Sequence, residues 1–110
     1  MDDARARELL AAERKRIVDE VGFLGLEQGD DLSTTDLADS ASDLYQNELD
    51  QGRLDELRTR LAALERAEER LREGRFGLSV ESGEPISDGR LEVLPTAERT
   101  EEEQARYEGR

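Results

Sequence analysis

Between Glu27 and Asp50 the chain carries eight carboxylates and no lysine or arginine. The acids are Glu27, Asp30, Asp31, Asp36, Asp39, Asp43, Glu48 and Asp50. A cluster this one-sided has three chemical uses: to hold a divalent cation, to supply an acid and a base, or to meet a basic surface on a partner. The remaining residues narrow that choice. Histidine and cysteine are both absent, so there is no imidazole base, no thiol nucleophile and no thiolate metal site, and no glycine-rich phosphate loop occurs. The acids fall on solvated helical segments with no general base placed beside them, which makes a Mg²⁺-dependent hydrolase the weakest of the three readings. No enzymatic activity and no cofactor are expected, and recognition of a basic partner is the use that fits.

A local role for some of these acids stands beside the functional one. Ser33 precedes Asp36, and Ser40 precedes Asp43, by the three residues of a capping box, so these acids can serve to start a helix. That role accounts for Asp36 or Asp43. It leaves Asp39 and the eight-to-zero charge bias without a local explanation.

The elements that must position the acids follow from periodicity. Leu10, Ile17, Val21 and Leu24, spaced by seven, four and three, predict one apolar stripe on a helix from about Asp2 to Glu27. Glycines at 22, 25 and 29 weaken its end. Leu54, Leu57, Leu61, Leu64 and Leu71 form a second stripe of coiled-coil type, with Arg and Glu on the outer faces through Arg72. Leu37 and Leu44 are seven apart, but ten residues separate Leu44 from Leu54, so a phase change with a bend is expected near Gly52. The expected fold class is mainly α: an antiparallel coiled-coil hairpin over residues 1–73, with its acidic tip in a turn near 28–41.

After Glu73 and Gly74 the pattern changes to short apolar alternation through Phe76, Leu78, Val80, Ile86, Leu91, Val93 and Leu94, with Ser82 and Gly83 as a turn. Residues 74–110 are therefore expected to form a small hairpin-containing knob whose apolar side chains pack together, followed by a final helix capped by Thr96 or Thr100.

Composition sets the boundary conditions. Leu, Ile, Val and Phe together make up 24 of 110 residues, enough for a narrow seam and too few for a wide core. The formal net charge is −13, from 16 basic and 29 acidic residues, so nucleic acid and anionic lipid would be repelled. No apolar run approaches the 18 or so residues of a membrane span, and the amino terminus lacks the apolar core of a secretory signal, so a soluble cytoplasmic protein is expected.

The segment from Gly74 to Gln104 resembles the globular end of the DksA/TraR family of bacterial transcription factors, whose pattern is roughly GxYGxCxxCGxxIxxxRLxAxPxAxxCxxC. Gly74, Phe76, Gly77, Gly83, Ile86, Arg90, Leu91, Pro95 and Ala97 match it in one register. The four zinc-binding cysteines of the family correspond to Ser79, Ser82, Thr100 and Glu103, so the spacing survives without a thiol. Upstream, Asp36, Asp39 and Ala41 match the DxxDxA motif that such proteins carry at the coiled-coil tip.

The resemblance covers residues of about 30–104 and implies a zinc-free member with a degenerate zinc-finger-like knob. It also implies a mechanism: direct binding to RNA polymerase, no specific DNA contact, and entry of the acidic tip through the secondary channel to modulate initiation. The positions aligned with the family's basic contacts to the alarmone ppGpp are Glu56, Ala63 and Gln104, none of them cationic, so ppGpp binding is not expected. Cationic substitutes would be Arg53, Arg58 or Arg60. The alternative reading is an acidic coiled-coil adaptor or homodimerisation protein with no action on polymerase.

Overall fold

The computed structural model describes residues 1–24, 32–41 and 48–109, with backbone alone at 38–41 and 48–50. Five helices occur among the described residues: α1 (Asp3–Phe23), α2 (Thr34–Ala41), α3 (Glu48–Arg72), α4 (Asp88–Val93) and α5 (Glu101–Glu108). The chain is mainly α, and the described residues contain no strand, only one isolated antiparallel bridge between Leu78 and Pro85. None of these helices is long and apolar enough to cross a membrane.

Contacts divide the chain into two compact units, one of residues 1–10 and 66–110, the other of 11–65. The first turns of α1 share a unit with the last turns of α3, and the later turns of α1 share one with the earlier turns of α3. The two long helices therefore run antiparallel.

In the 11–65 unit the apolar stripes do what their spacing requires. Ile17 and Val21 of α1, and Leu54, Leu57, Leu61 and Leu64 of α3, are all at most 1% exposed. Removing such side chains from water is the main drive for pairing, since short isolated helices are marginal. Polar ties flank the seam: Arg60 of α3 forms ion pairs with Glu13 and Glu20 of α1, which lie two turns apart. Helix α1 ends at Phe23, short of the expected Glu27, and the Leu24 amide is shared between the Glu20 and Val21 carbonyls. Its last turn contains Gly22 and no basic residue to complement the helix dipole, and both features favour an early stop. The expected phase change does not interrupt α3, which runs through Gly52 as continuous helix; Leu44 lies outside the described residues.

The segment expected as a turn near 28–41 contains a helix, α2, over its second half; residues 28–31 lie outside the described set. Leu32 and Leu37 are 2% and 0% exposed and anchor this segment.

In the unit of residues 1–10 and 66–110, α3 ends in a Schellman motif. The Arg75 amide donates to the Arg70 carbonyl at 2.8 Å, the Gly74 amide to the Leu71 carbonyl at 3.2 Å, and Gly74 takes φ of 75°. The seam also changes character here. Ala67 is 0% and Arg70 7% exposed while Leu71 is half-buried, so the expected Leu64-to-Leu71 step is replaced by a small residue and a cation. Arg70 faces Glu98 at 3.4 Å, and burial lowers the pKa of its guanidinium.

The knob keeps a minimal hairpin, in which the Ser79 amide donates to the Glu84 carbonyl at 2.8 Å and the Ile86 amide to the Gly77 carbonyl at 2.7 Å, but its packing departs from expectation. Its core is Ile86, Leu91 and Ala97 with Phe76 packed against them, whereas Leu78, Val80 and Leu94 are between 37% and 49% exposed. The apolar residues at 91, 93 and 94 belong to α4 and its cap: Ser87 accepts the Arg90 amide at 3.2 Å, Leu91 turns inward and Val93 is left 86% exposed. Helical periodicity thus overrides the alternation read from sequence. Gly77, at φ of 82°, lies so close to Leu91 that a Cβ would meet its Cδ1 at 3.4 Å. Charged pairs fasten the surface: Arg5 of α1 to Glu92 of α4 through two bonds of 2.9 and 2.6 Å, Arg66 to Glu98, and Arg99 to Glu81. The Arg99 guanidinium also lies 4.0 Å from the Tyr107 ring centroid.

Candidate functional site

Two groups of residues were singled out by sequence, and each falls within one compact unit. The acidic motif lies on α2. Ser33 occupies the N-cap: its Oγ accepts the Asp36 amide at 3.1 Å and its carbonyl accepts the Leu37 amide at 3.0 Å. The capping spacing of Ser33 and Asp36 is thus realised in the backbone, while the Asp36 side chain is exposed. Ser40 is interior to α2, so it does not start a helix, and Asp43 lies outside the described residues. Asp39 and Ala41 sit on the same helix, three and five positions after Asp36, with backbone alone described. Sequence reading missed what holds the entry to this helix: Arg14 of α1 donates to the Leu32 carbonyl at 2.7 Å, and Glu65 of α3 accepts the Thr34 amide at 3.3 Å and the Thr34 hydroxyl.

The other group comprises Ser79, Ser82, Thr100 and Glu103, which the fold brings together although some twenty residues separate the pairs. Thr100 and Glu103 form a capping box at the start of α5: the Thr100 amide donates to Glu103 Oε1 at 2.9 Å, and the Glu103 amide to Thr100 Oγ1 at 3.2 Å. Of the two expected caps, Thr100 is the one used. Ser79 Oγ accepts the Glu81 and Ser82 amides at 3.0 and 3.2 Å, and Ser82 Oγ accepts the Glu84 amide at 3.2 Å. The Glu103 carboxylate is held down to about 2, first by the Ser79 hydroxyl, then by the Thr100 amide and the Ser82 hydroxyl. Glu103 and Ser79 are only 6% and 5% exposed, whereas Thr100 is half-buried and Ser82 is exposed, so the cluster runs from the interior of the knob to its surface.

Zinc does not fit this donor set. Three of the four groups are alcohols that stay protonated near neutrality, and their lone pairs already accept backbone amides. The single carboxylate accepts the Thr100 amide at 2.9 Å, and the neighbouring Ser79 and Ser82 hydroxyls favour its charged form. Among the described residues no group of three or more His, Cys, Asp or Glu is arranged to hold a metal ion. Elemental analysis of the purified protein is accordingly expected to give no stoichiometric zinc, and excess chelator to leave its melting curve unchanged. Stoichiometric metal, or unfolding by chelator, would contradict this account.

Two antiparallel helices with a leucine seam, a short acidic helix between them in sequence and a glycine-bearing knob define a class of mainly helical protein. Comparison with curated proteins narrows the class. The chain is 39% identical over 75 residues to the protein named RNA polymerase-binding transcription factor DksA in two strains of Caulobacter vibrioides, an alignment covering 68% of this chain and 53% of each relative. The chain belongs to the DksA/TraR family, as a member without cysteine. It spans about half the length of the curated relatives it matches. No family model and no solved structure matches it.

Proposed function

We propose that this chain is a transcription regulator that binds RNA polymerase directly, inserting the acidic α2 region through the secondary channel to modulate initiation. The observation that carries this reading is the DxxDxA motif on a short helix between two long antiparallel ones, in a chain whose curated relatives are named for polymerase binding. With a net charge of −13 the protein is attracted by a basic channel and repelled by DNA, so the polymerase protein surface is the partner. The regulator acts by differential affinity for polymerase states, not by catalysis. Asp36, Asp39 and Ala41 are the modulating residues, and Ala41 serves fit.

The test is cosedimentation with core polymerase in the absence of DNA. Co-migration that is lost on raising the salt concentration is the expected result, and free sedimentation at low salt, with homodimers instead, would favour the adaptor reading.

Action on polymerase is expected to be independent of ppGpp. A polyphosphate needs unengaged cations, yet the aligned positions are Glu56, Ala63 and Gln104. Two of the possible substitutes are in ion pairs, Arg58 with Asp55 and Arg60 with Glu13 and Glu20. Gln104 lines a cavity of about 490 Å³ that contains Arg90 and Arg99 but also Glu98, Glu101 and Glu108. Its cations are committed, Arg90 to the Arg99 carbonyl at 2.9 Å and Arg99 to Glu81. Titrating ppGpp into transcription reactions, with polymerase-only reactions subtracted, should show no synergy. Synergy that requires this protein would return attention to Arg53 and its neighbours.

A further inference from the structure

Helix α2 is eight residues long, shorter than an isolated helix can sustain in water, so its direction is set by what grips it. Two apolar anchors, Leu32 and Leu37, are buried, but apolar contact is non-directional and does not fix the azimuth of a short helix. Among the described residues, the directional contacts that tie it to α1 and α3 are at its entry. On one side of the Ser33 cap, the Leu32 carbonyl accepts Arg14 of α1 at 2.7 Å. On the other, Thr34 gives both its amide and its hydroxyl to the carboxylate of Glu65 on α3. The amide at Thr34 is one of the orphan donors of a helix start, and a carboxylate there also complements the helix dipole. Glu65 therefore caps α2 from another helix, while Ser33 caps it locally at Asp36.

We infer that Arg14, Thr34 and Glu65 form a positioning latch that aims α2, and that the regulatory effect of the acidic motif depends on it. This inference rests on the proposed action of α2 on polymerase. The latch residues belong to the body of the helix pair and to the first turn of α2, not to the DxxDxA motif itself. Their role is to hold the helix that presents the motif. A bond from a hydroxyl to a charged acceptor is among the stronger neutral-to-ionic contacts, and its loss frees a short element to reorient without unfolding the leucine seam.

The experiment uses the whole chain with RNA polymerase on a responsive promoter and reads the maximal effect at saturating protein, alongside polymerase affinity by competition. Thr34→Val keeps the shape of the side chain and removes its hydroxyl; Thr34→Ser keeps the hydroxyl. The expected result is a plateau reduced about tenfold for Thr34→Val, the loss that one charge-assisted hydrogen bond controls, with affinity nearly unchanged and with Thr34→Ser close to the parent. Glu65→Ala, which also removes the acceptor of the Thr34 amide, should fall at least as far as Thr34→Val, and the double variant should be no worse than Glu65→Ala alone. A fall in stability alone raises the concentration needed but not the plateau, so a purely structural role is separable. Asp39→Asn run in parallel tells the two readings apart. If Asp39→Asn loses the plateau while Thr34→Val keeps it, the latch is wrong and the tip reading stands. If Asp39→Asn keeps the plateau, or the parent chain has no effect on polymerase, the tip reading falls and the latch falls with it.

Discussion

Asp39→Asn is expected to abolish the effect of this protein on a responsive promoter while leaving its fold and its polymerase affinity close to those of the parent. The substitution removes one charge and keeps the size of the side chain, and Asp and Asn have similar helix propensity, so α2 has no intrinsic reason to melt. The fold around it is anchored elsewhere, by Leu32, Leu37 and the seam from Leu54 to Leu64. Most polymerase affinity should come from the larger surfaces of the helix pair and knob, because a single exposed charge usually contributes little to binding. Asp36→Asn should act in the same direction less strongly, since the exposed Asp36 side chain sits in the first turn, where its charge also favours the helix dipole. Transcription reactions at saturating protein, with a binding assay beside them, measure both quantities. An Asp39→Asn protein with the full effect would remove the motif from the mechanism.

The order of these effects separates residues that hold the fold from residues that act. Seam leucines and the knob core are enclosed, so changing them disturbs stability first. Asp36 is exposed and capped through its backbone, so its side chain is free of the structural duty that the spacing with Ser33 alone would have assigned to it. The local explanation therefore accounts for the amide of Asp36, not for its carboxylate.

What was legible in the sequence is what periodicity encodes. Ile17, Val21 and the leucines at 54, 57, 61 and 64 were read as a seam, and all are buried, because a repeat of three and four has one burial solution. The end of that seam was less legible, since Ala67 is too small to announce itself and Arg70 is charged, yet both are buried. Helix α4 was missed although Ser87 followed by Asp88 is a start signal; three apolar residues at 91, 93 and 94 fit a strand as well as a short helix. The latch on α2 had no local signal at all. Thr34 and Glu65 are thirty-one residues apart and only the fold makes them neighbours. For the four positions that the resemblance aligns with cysteines, the spacing named the residues but gave no hint that the fold would gather them.

That gathering leads to the second large effect, which is on stability and depends on pH. Replacing Glu103 by Gln is expected to lower the melting temperature at pH 7 by more than Thr100→Ala does. Thr100→Ala removes one N-cap, worth about 1 kcal/mol, or roughly 4–8 °C in a domain of this size. Glu103→Gln does more, because the charged carboxylate that accepts the Thr100 amide, and whose charged form the Ser79 and Ser82 hydroxyls favour, becomes neutral. The sign of the pH dependence follows from the same contacts. Folding lowers the Glu103 carboxyl to about 2, below its unfolded value near ~4.3, so in that interval the unfolded chain binds more protons than the folded one. The contribution of Glu103 is fully present above about pH 5 and is lost as the pH falls toward 2. Glu98, held down by Arg66, and Glu92, held down by Arg5, add their own losses in acid, but these are common to parent and variant. The gap between parent and Glu103→Gln melting temperatures should therefore be constant from pH 8 to about 5 and close steadily in more acidic buffer. A gap that persists unchanged at pH 3, or none at pH 7, would mean that the carboxylate does not tie the two halves of the knob together.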